Sequence, residues 1–419
     1  MSTLSQLAES LIGSEIVKLG NEISRRVREG EKIYNFTIGD FDPGIFPIPA
    51  ELETEIIQSY KEHYTNYPPA DGLPELRTAI ADFLLEHAKV HYQPNEIQVA
   101  SGGRPLIYAA FKAIVDRDDK VIYAVPSWNN NHYTAMNHGV HCTIDAHPEN
   151  NFMPTVADIQ PHIAGAALVC ICTPQNPTGT TMSKETLEGI CDLILEENSK
   201  RTGTTKKLYL MFDQMYALLT YNDTVHYNPV ALRPAMKDYT IFIDGISKSF
   251  AATGVRAGWS MGPANVIGKM RALLSHIGAW APMAEQKATA NYLPQKDAVE
   301  RHLATFRNEL KGRLEDIYNG LVKMQQKGLP VASIAPQAAM YLTIKLDLTG
   351  KKTANGEVLN NQVAVTEYIL DKAKLAIVPF YAFGAGFHSP WYRLSVGTCV
   401  KSEIPEMLSL LEQALSELV

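Results

Sequence analysis

No run of five or more basic residues occurs anywhere in this chain, and its formal net charge is −7. A nucleic-acid-binding surface is therefore not expected, and the acidic balance favours a soluble protein. No uninterrupted apolar run approaches the roughly 20 residues a spanning helix needs, so no membrane segment is expected. The opening residues, MSTLSQLAESLIGSEIVKLG, lack a basic start followed by an apolar core, so no secretory signal is expected. Cysteine is scarce and odd in number: Cys142, Cys170, Cys172, Cys191 and Cys399, with no C-x-x-C pair. A reduced, cytoplasmic setting is the simple reading. No internal repeat and no low-complexity segment is visible. At 419 residues, 46% hydrophobic and 20% charged, the chain is long enough for about two to three globular domains.

What is present is an alternation of apolar strands and helices. Strand patterns appear at 97–100, 120–125, 166–172, 207–213 and 240–244, and a helix at 183–198 is introduced by Ser183. Such alternation implies a largely parallel sheet covered on both faces, in which ligands bind beyond the carboxyl ends of the strands. Trp128, Asn176, Asp213 and Lys248 all fall at or just past such an end. Before this region, residues 1–32 read as helical, and Glu75 begins a helix with Pro74 at its start. After it, a continuous helical pattern runs from about 285 to 327, strands are expected within 331–346 and 375–396, and an amphipathic helix closes the chain. Its stripe of Ile404, Met407, Leu408, Leu411 and Leu415 reads as core packing.

The stretch Phe242–Met261, FIDGISKSFAATGVRAGWSM, carries the chemistry. It reads as strand, loop and strand, with Lys248 after the first strand and Arg256 before the second. A lysine that must attack a carbonyl needs its amine held neutral by a dry or cationic neighbourhood, which Arg256 would help to supply. The plain alternative is a surface lysine on a connection. Ser101-Gly102-Gly103, between a strand and a helix, reads as an anion site at a helix N-terminus, or as an ordinary turn. Gly39 lies in a loop where its backbone can approach another group. Arg393 sits inside an apolar strand and must be paired, with an internal Asp or Glu or with a ligand carboxylate; of the two, the residue alone favours the internal partner.

Seven motifs taken in order resemble the pyridoxal-phosphate aminotransferases of fold type I, class I/II. They are Y-x-x-x-x-G-x-P-E-L-R from Tyr67, S-G-G at 101–103, P-x-W at 126–128, N-P-T-G at 176–179, D-x-x-Y at 213–216, S-K-x₇-R at 247–256 and R-L-S at 393–395. The resemblance covers nearly the whole chain. It implies an α/β fold with a mostly parallel, seven-stranded-type sheet in a large cofactor domain (50–290), plus a smaller α+β domain built from both chain ends (1–49 and 291–419). It implies pyridoxal 5'-phosphate as cofactor and no metal. Lys248 would carry the cofactor covalently and move protons; Asp213 would keep its ring nitrogen protonated; Tyr216 and Asn176 would hydrogen-bond its phenolic oxygen; Trp128 would stack on its ring. Ser101, Gly102, Gly103, Ser247 and Arg256 would hold its phosphate, with Tyr67 reaching the phosphate of a neighbouring subunit in a homodimer. Arg393, beside the Gly39 backbone, would clamp the substrate α-carboxylate.

Three departures stand out. Gly245 replaces a frequent serine, Gln214 follows Asp213 where glutamate is common, and DPGIFPI follows Gly39. Trp128 with Arg104 looks like aspartate aminotransferases, in one branch of which a lysine at the Arg104 position meets the distal carboxylate of dicarboxylic substrates. Small-molecule amino and 2-oxo acids are thus the expected partners, L-aspartate with 2-oxoglutarate foremost. The alternatives are that Arg104 serves the phosphate or a nearby acidic side chain, and that the enzyme takes aromatic or neutral amino acids or is a β-eliminating relative. A non-catalytic binding protein on the same scaffold would be expected to lack Lys248.

Overall fold

The computed structural model describes residues 4–11, 13 and 15–419; residues 1–3, 12 and 14 of the expected N-terminal helix lie outside them. That helix is two, Gln6–Ser10 and Glu15–Arg28. Numbered along the chain, the strands are β1 (Tyr34–Asn35), β2 (Ile97–Ala100), β3 (Lys120–Val125), β4 (Val140–Asp145), β5 (Ala166–Cys172), β6 (Tyr209–Asp213), β7 (Thr240–Gly245), β8 (Gly258–Met261), β9 (Val331–Ser333), β10 (Tyr341–Leu346), β11 (Leu375–Ala376), β12 (Val378–Pro379) and β13 (Trp391–Ser395).

Seven of them form one sheet in the order β2-β8-β7-β6-β5-β3-β4. Only β8 runs against its neighbours; the rest are mutually parallel. The central strands are apolar throughout because both faces are covered. On one face Leu106, Ala110 and Phe111 of helix Gly103–Ile114 meet Ile267, Met270 and Leu274 of helix Ala264–Ile277. On the other, Leu76, Ile80, Leu187, Ile190 and Ile194 from helices Pro74–His87 and Lys184–Lys200 complete the larger core. Fully burying each such Leu, Ile, Met or Phe side chain contributes about 1.5–3 kcal/mol relative to leaving it exposed, so this two-sided burial fixes the sheet.

A smaller antiparallel sheet, β12-β13-β10-β9, packs against the helix Lys296–Gln326 and the final helix Ile404–Ser416. Both chain ends enter this part, since β1 pairs with β11. Ile404, Met407, Leu411 and Leu415 are buried and Leu408 packs beside them. The fold is thus α/β with a mostly parallel seven-stranded sheet and a smaller antiparallel one.

Local differences from the sequence reading have local causes. The helical pattern at 285–327 is two helices, Met283–Tyr292 and Lys296–Gln326, separated at Pro294, which cannot donate an intrahelical hydrogen bond. The strand expected from 207 starts at Tyr209, because Leu208 N is held by Asn198 Oδ1 at 2.8 Å and Lys207 Nζ by Asn198 O at 3.0 Å. Within 375–396 the middle is a 3₁₀ turn, Phe380–Phe383. The connection carrying Lys248 is a single helical turn, Ile246–Ser249.

The two sheets meet where the 176–179 loop crosses β10. Gly179 has φ +69°, and a Cβ there would lie 2.2 Å from the Tyr341 carbonyl oxygen. Hydrogen bonds from Ala338 N to Gly179 O (2.9 Å) and from Thr343 Oγ1 to Thr178 O (2.8 Å) close this crossing. Gly179→Ala is therefore expected to destabilise the protein by about 2 kcal/mol or more, through both the disfavoured φ and the clash. Chemical denaturation of the two proteins measures it.

Candidate active site

The carboxyl edge of the large sheet gathers the chemistry, because parallel strands deliver their following loops to one side. Ser101–Gly103 follow β2, Trp128 follows β3, Asn176 follows β5, Asp213 ends β6, Ser247 and Lys248 follow β7, and Arg256 precedes the reversed β8. Gly39 and Arg393 approach from the smaller sheet's side. Of the residues singled out in the sequence, all but Ser101, Gly102 and Tyr67 line one cavity of about 450 Å³.

Lys248 is partly buried. Its Nζ donates to Gly39 O at 2.6 Å and lies 5.7 Å from the centre of the Phe41 ring. Burial lowers its pKa to about 8; Arg393, Arg104 and Arg256 add to that and Asp40 opposes it. The amine is thus far more available for attack than an ordinary lysine's. Asp213 Oδ1 accepts from Met215 N at 3.1 Å, and burial pushes its pKa up to about 6. A cation placed against it would pull that value back down.

Arg256 anchors the Ser101–Gly103 turn by donating from Nη2 to Ser101 O at 2.7 Å and from Nη1 to Thr253 O at 2.6 Å. It adopts φ +63°, an uncommon conformation for a residue with a side chain. Gly102, at φ +89°, leaves room for it: a Cβ would stand 2.3 Å from Arg256 Nη2. Free N–H groups at the start of helix Gly103–Ile114, the guanidinium and the Ser247 hydroxyl therefore border one concave spot suited to a phosphate.

Arg393 is 1% exposed. Its Nη1 donates to Asn176 Oδ1 at 3.0 Å and its Nη2 to Thr37 O at 2.6 Å, while Nε has no partner among the described residues. Among the described residues no Asp or Glu forms an ion pair with it, so the internal acidic partner favoured by the residue alone is not there. A buried cation left with neutral acceptors and a spare N–H is suited to an incoming carboxylate. Tyr216 is buried and its hydroxyl meets that of Tyr341 at 2.6 Å. Arg104 is exposed at the cavity's edge, its guanidinium 5.3 Å from the centre of the Trp128 ring. Tyr67 is elsewhere, 82% exposed, its ring 5.2 Å from that of Trp280.

The departures acquire reasons. A Cβ at Gly245 would be 2.8 Å from Gly258 Cα and 2.9 Å from Ala257 O, so the close approach of β7 and β8 leaves no place for a serine. Gln214 donates from Nε2 to Asp244 Oδ2 at 2.9 Å; a carboxylate in this neighbourhood stands at 244 instead. The segment after Gly39 is an aromatic anchor: Phe41 and Phe46 pack edge-on against Phe306 at 5.1 and 5.5 Å, holding the Gly39 loop on the long helix.

The cavity also contains residues that sequence reasoning passed over: Tyr341, Cys172, Asp40 and Ile16. Cys172 and Tyr341 lie in apolar strand runs, where nothing in the local pattern separates a core residue from a cavity residue. Asp40 lies beside the flagged Gly39, and Thr253 Oγ1 donates to its Oδ1 at 2.6 Å.

An amine of lowered pKa, a partly buried carboxylate, a spot suited to an anion and a buried arginine with no carboxylate partner among the described residues, all in one cavity, are the parts of a carbonyl-cofactor enzyme acting on carboxylates. Residues 31–411 match the family model described as aminotransferase class I and II. The chain belongs to the class I and II aminotransferases. It is accordingly a pyridoxal-phosphate-dependent transaminase. The aminotransferase chain is 28% identical over 418 residues to the aspartate aminotransferase of Bacillus sp. (strain YM-2), covering 99% of this chain and 98% of that one. It is 27% identical over 422 residues to a probable aspartate/prephenate aminotransferase of Rickettsia typhi, covering all of both. The crystal structure of the aspartate aminotransferase from Rhizobium meliloti superposes with a TM-score of 0.89 at 25% identity, over the full length of both chains.

Proposed function

We propose that this aminotransferase transfers the amino group of L-aspartate to 2-oxoglutarate, giving oxaloacetate and L-glutamate. Two arginines on one cavity, without carboxylate partners among the described residues, carry the reading: Arg393 in its wall and Arg104 at its edge. A dicarboxylic substrate has two charges to satisfy, and Arg offers a two-pronged contact to each. Pyridoxal phosphate, when bound, supplies the electron sink for loss of the Cα proton. Lys248 would hold it covalently and move that proton. Asp213 would keep the cofactor's ring nitrogen charged. Tyr216 and Asn176 would donate to its phenolic oxygen, Trp128 would cover its ring, and Ser101, Gly102, Gly103, Ser247 and Arg256 would take the phosphate.

The same reading assigns residues 50–290 to a cofactor domain and 1–49 with 291–419 to a smaller one. It makes the working unit a homodimer in the cytoplasm, in which the exposed Tyr67 reaches the phosphate in the partner subunit. Among the described residues no helix is long and apolar enough to cross a membrane.

A second reading, an aminotransferase for aromatic or neutral amino acids, is favoured by the apolar Ile16, Val17 and Ile107 on the same cavity. Arg104→Ala separates the two. For the dicarboxylic reading, kcat/KM for aspartate falls about 100-fold or more while that for a neutral amino acid changes little, since an unpaired substrate charge is what the variant leaves behind. An equal fall for both substrates removes Arg104 from the distal-carboxylate role.

A further inference from the structure

Tyr341 has no place in the roles given so far, yet it touches two of them. It begins β10, is 1% exposed and lines the cavity. Its hydroxyl is 2.6 Å from that of Tyr216, and the two rings meet edge to face at 5.5 Å. On β13, Arg393 stands opposite Thr343; Tyr341, two residues along β10, is its diagonal neighbour on the same face. The Arg393 guanidinium lies 4.8 Å from the centre of the Tyr341 ring. The Gly39 loop closes the third side, for a Cβ at Gly39 would be 3.2 Å from the Tyr341 hydroxyl.

Two neutral phenols in contact hold two hydrogens, and one of these makes the bond between them. Burial raises the pKa of both groups, so both keep their protons at neutral pH. If Tyr216 is to donate into the cavity, toward an acceptor such as the cofactor's phenolic oxygen, it cannot also donate to Tyr341. The shared hydrogen must then come from Tyr341. A phenol that accepts a hydrogen bond is a stronger donor in turn.

We propose that Tyr341 is a positioning residue for the transamination site: it donates to Tyr216, so that the Tyr216 hydroxyl points its own hydrogen at the cofactor, and its ring supports the Arg393 carboxylate clamp. The proposal rests on the cofactor reading above. It makes one side chain the mechanical link between the substrate's carboxylate and the cofactor's phenolic edge.

The test is a pH titration of the visible absorbance of cofactor-loaded wild type, Tyr341→Phe, Tyr216→Phe and the double variant. Donation to the phenolic oxygen favours the deprotonated form of the chromophore. Tyr341→Phe is therefore expected to raise the midpoint by about half a unit, and Tyr216→Phe by more. The double variant should match Tyr216→Phe alone, because the Tyr341 hydroxyl acts only through Tyr216. KM for the amino acid stays within about twofold in Tyr341→Phe, which keeps the ring, and rises about tenfold in Tyr341→Leu, which removes the support of Arg393. An unmoved midpoint in Tyr341→Phe beside a shifted one in Tyr216→Phe overturns the hydrogen-bond role. Equal KM values in Tyr341→Phe and Tyr341→Leu overturn the ring's role. A wild type without a visible band overturns the cofactor reading itself, a distinct failure.

Discussion

Lys248→Ala is expected to abolish transamination, with kcat falling on the order of 10⁵-fold or more, the scale seen when a covalent nucleophile is removed. Wild-type protein loaded with pyridoxal phosphate and reduced with borohydride should carry the cofactor on the peptide containing Lys248, and the variant should not. The structure adds a pH dependence to this. Burial and the positive charges of Arg393, Arg104 and Arg256 disfavour the ammonium form and lower the Lys248 pKa to about 8. The reactive neutral amine therefore accumulates as pH rises through about 8, rather than near 10.5, the ordinary lysine value. The rate at which apoprotein takes up the aldehyde should climb through that window and level off above it. A rate still climbing steeply at pH 10 would show that the amine is not held neutral by its surroundings. Labelling of a different lysine would overturn the assignment of position 248.

The second large effect is at Arg393. Taking a guanidinium out of water is costly, and Arg393 is buried with only Asn176 Oδ1 and Thr37 O as acceptors among the described residues. A substrate carboxylate would supply the missing charge and accept from the fork. Arg393→Ala is expected to lower kcat/KM for the amino acid by about 10³–10⁴-fold, because a substrate charge is then left unpaired in a dry site. Arg393→Lys retains the charge but loses the two-pronged geometry, and should recover only part of this. Cofactor loading, followed by absorbance, should persist in both variants, since the proposed phosphate site around Arg256 and Ser101 does not include Arg393. If both variants keep KM within twofold of wild type, the carboxylate is bound elsewhere.

Much of the sheet was readable because its strands are buried on both faces and hence apolar end to end: β2, β3 and β5 fall on the expected residues. The helix after Ser183 was readable because its cap is a side-chain bond, with Thr186 N donating to Ser183 Oγ at 3.2 Å. Helix breaks were less so. The apolar pattern across 285–327 continues past Pro294 and hid the break that its missing N–H makes between the two helices. The cavity's lining was legible where an unusual polar residue stands at a strand end, as with Asp213 and Lys248. It was not legible where a lining residue looks like core, as with Tyr341 and Cys172.

Arg393 marks the boundary between the two kinds of information. Its place inside WYRLSV already required a partner, since a buried guanidinium cannot stand alone. Which partner depended on what β10, the Gly39 loop and the 176–179 loop bring to it, and those lie far away along the chain. By itself the sequence determined the order in which the strands present polar side chains, the candidate lysine and the family pattern, because these are written in local spacing and residue type. Only the tertiary structure decided that Arg393 meets an amide oxygen and a backbone carbonyl, that Gly245 has no room for a side chain, and that Tyr341 touches both Tyr216 and Arg393. Each of these is a contact between segments remote in sequence, and local pattern carries no record of distance in space.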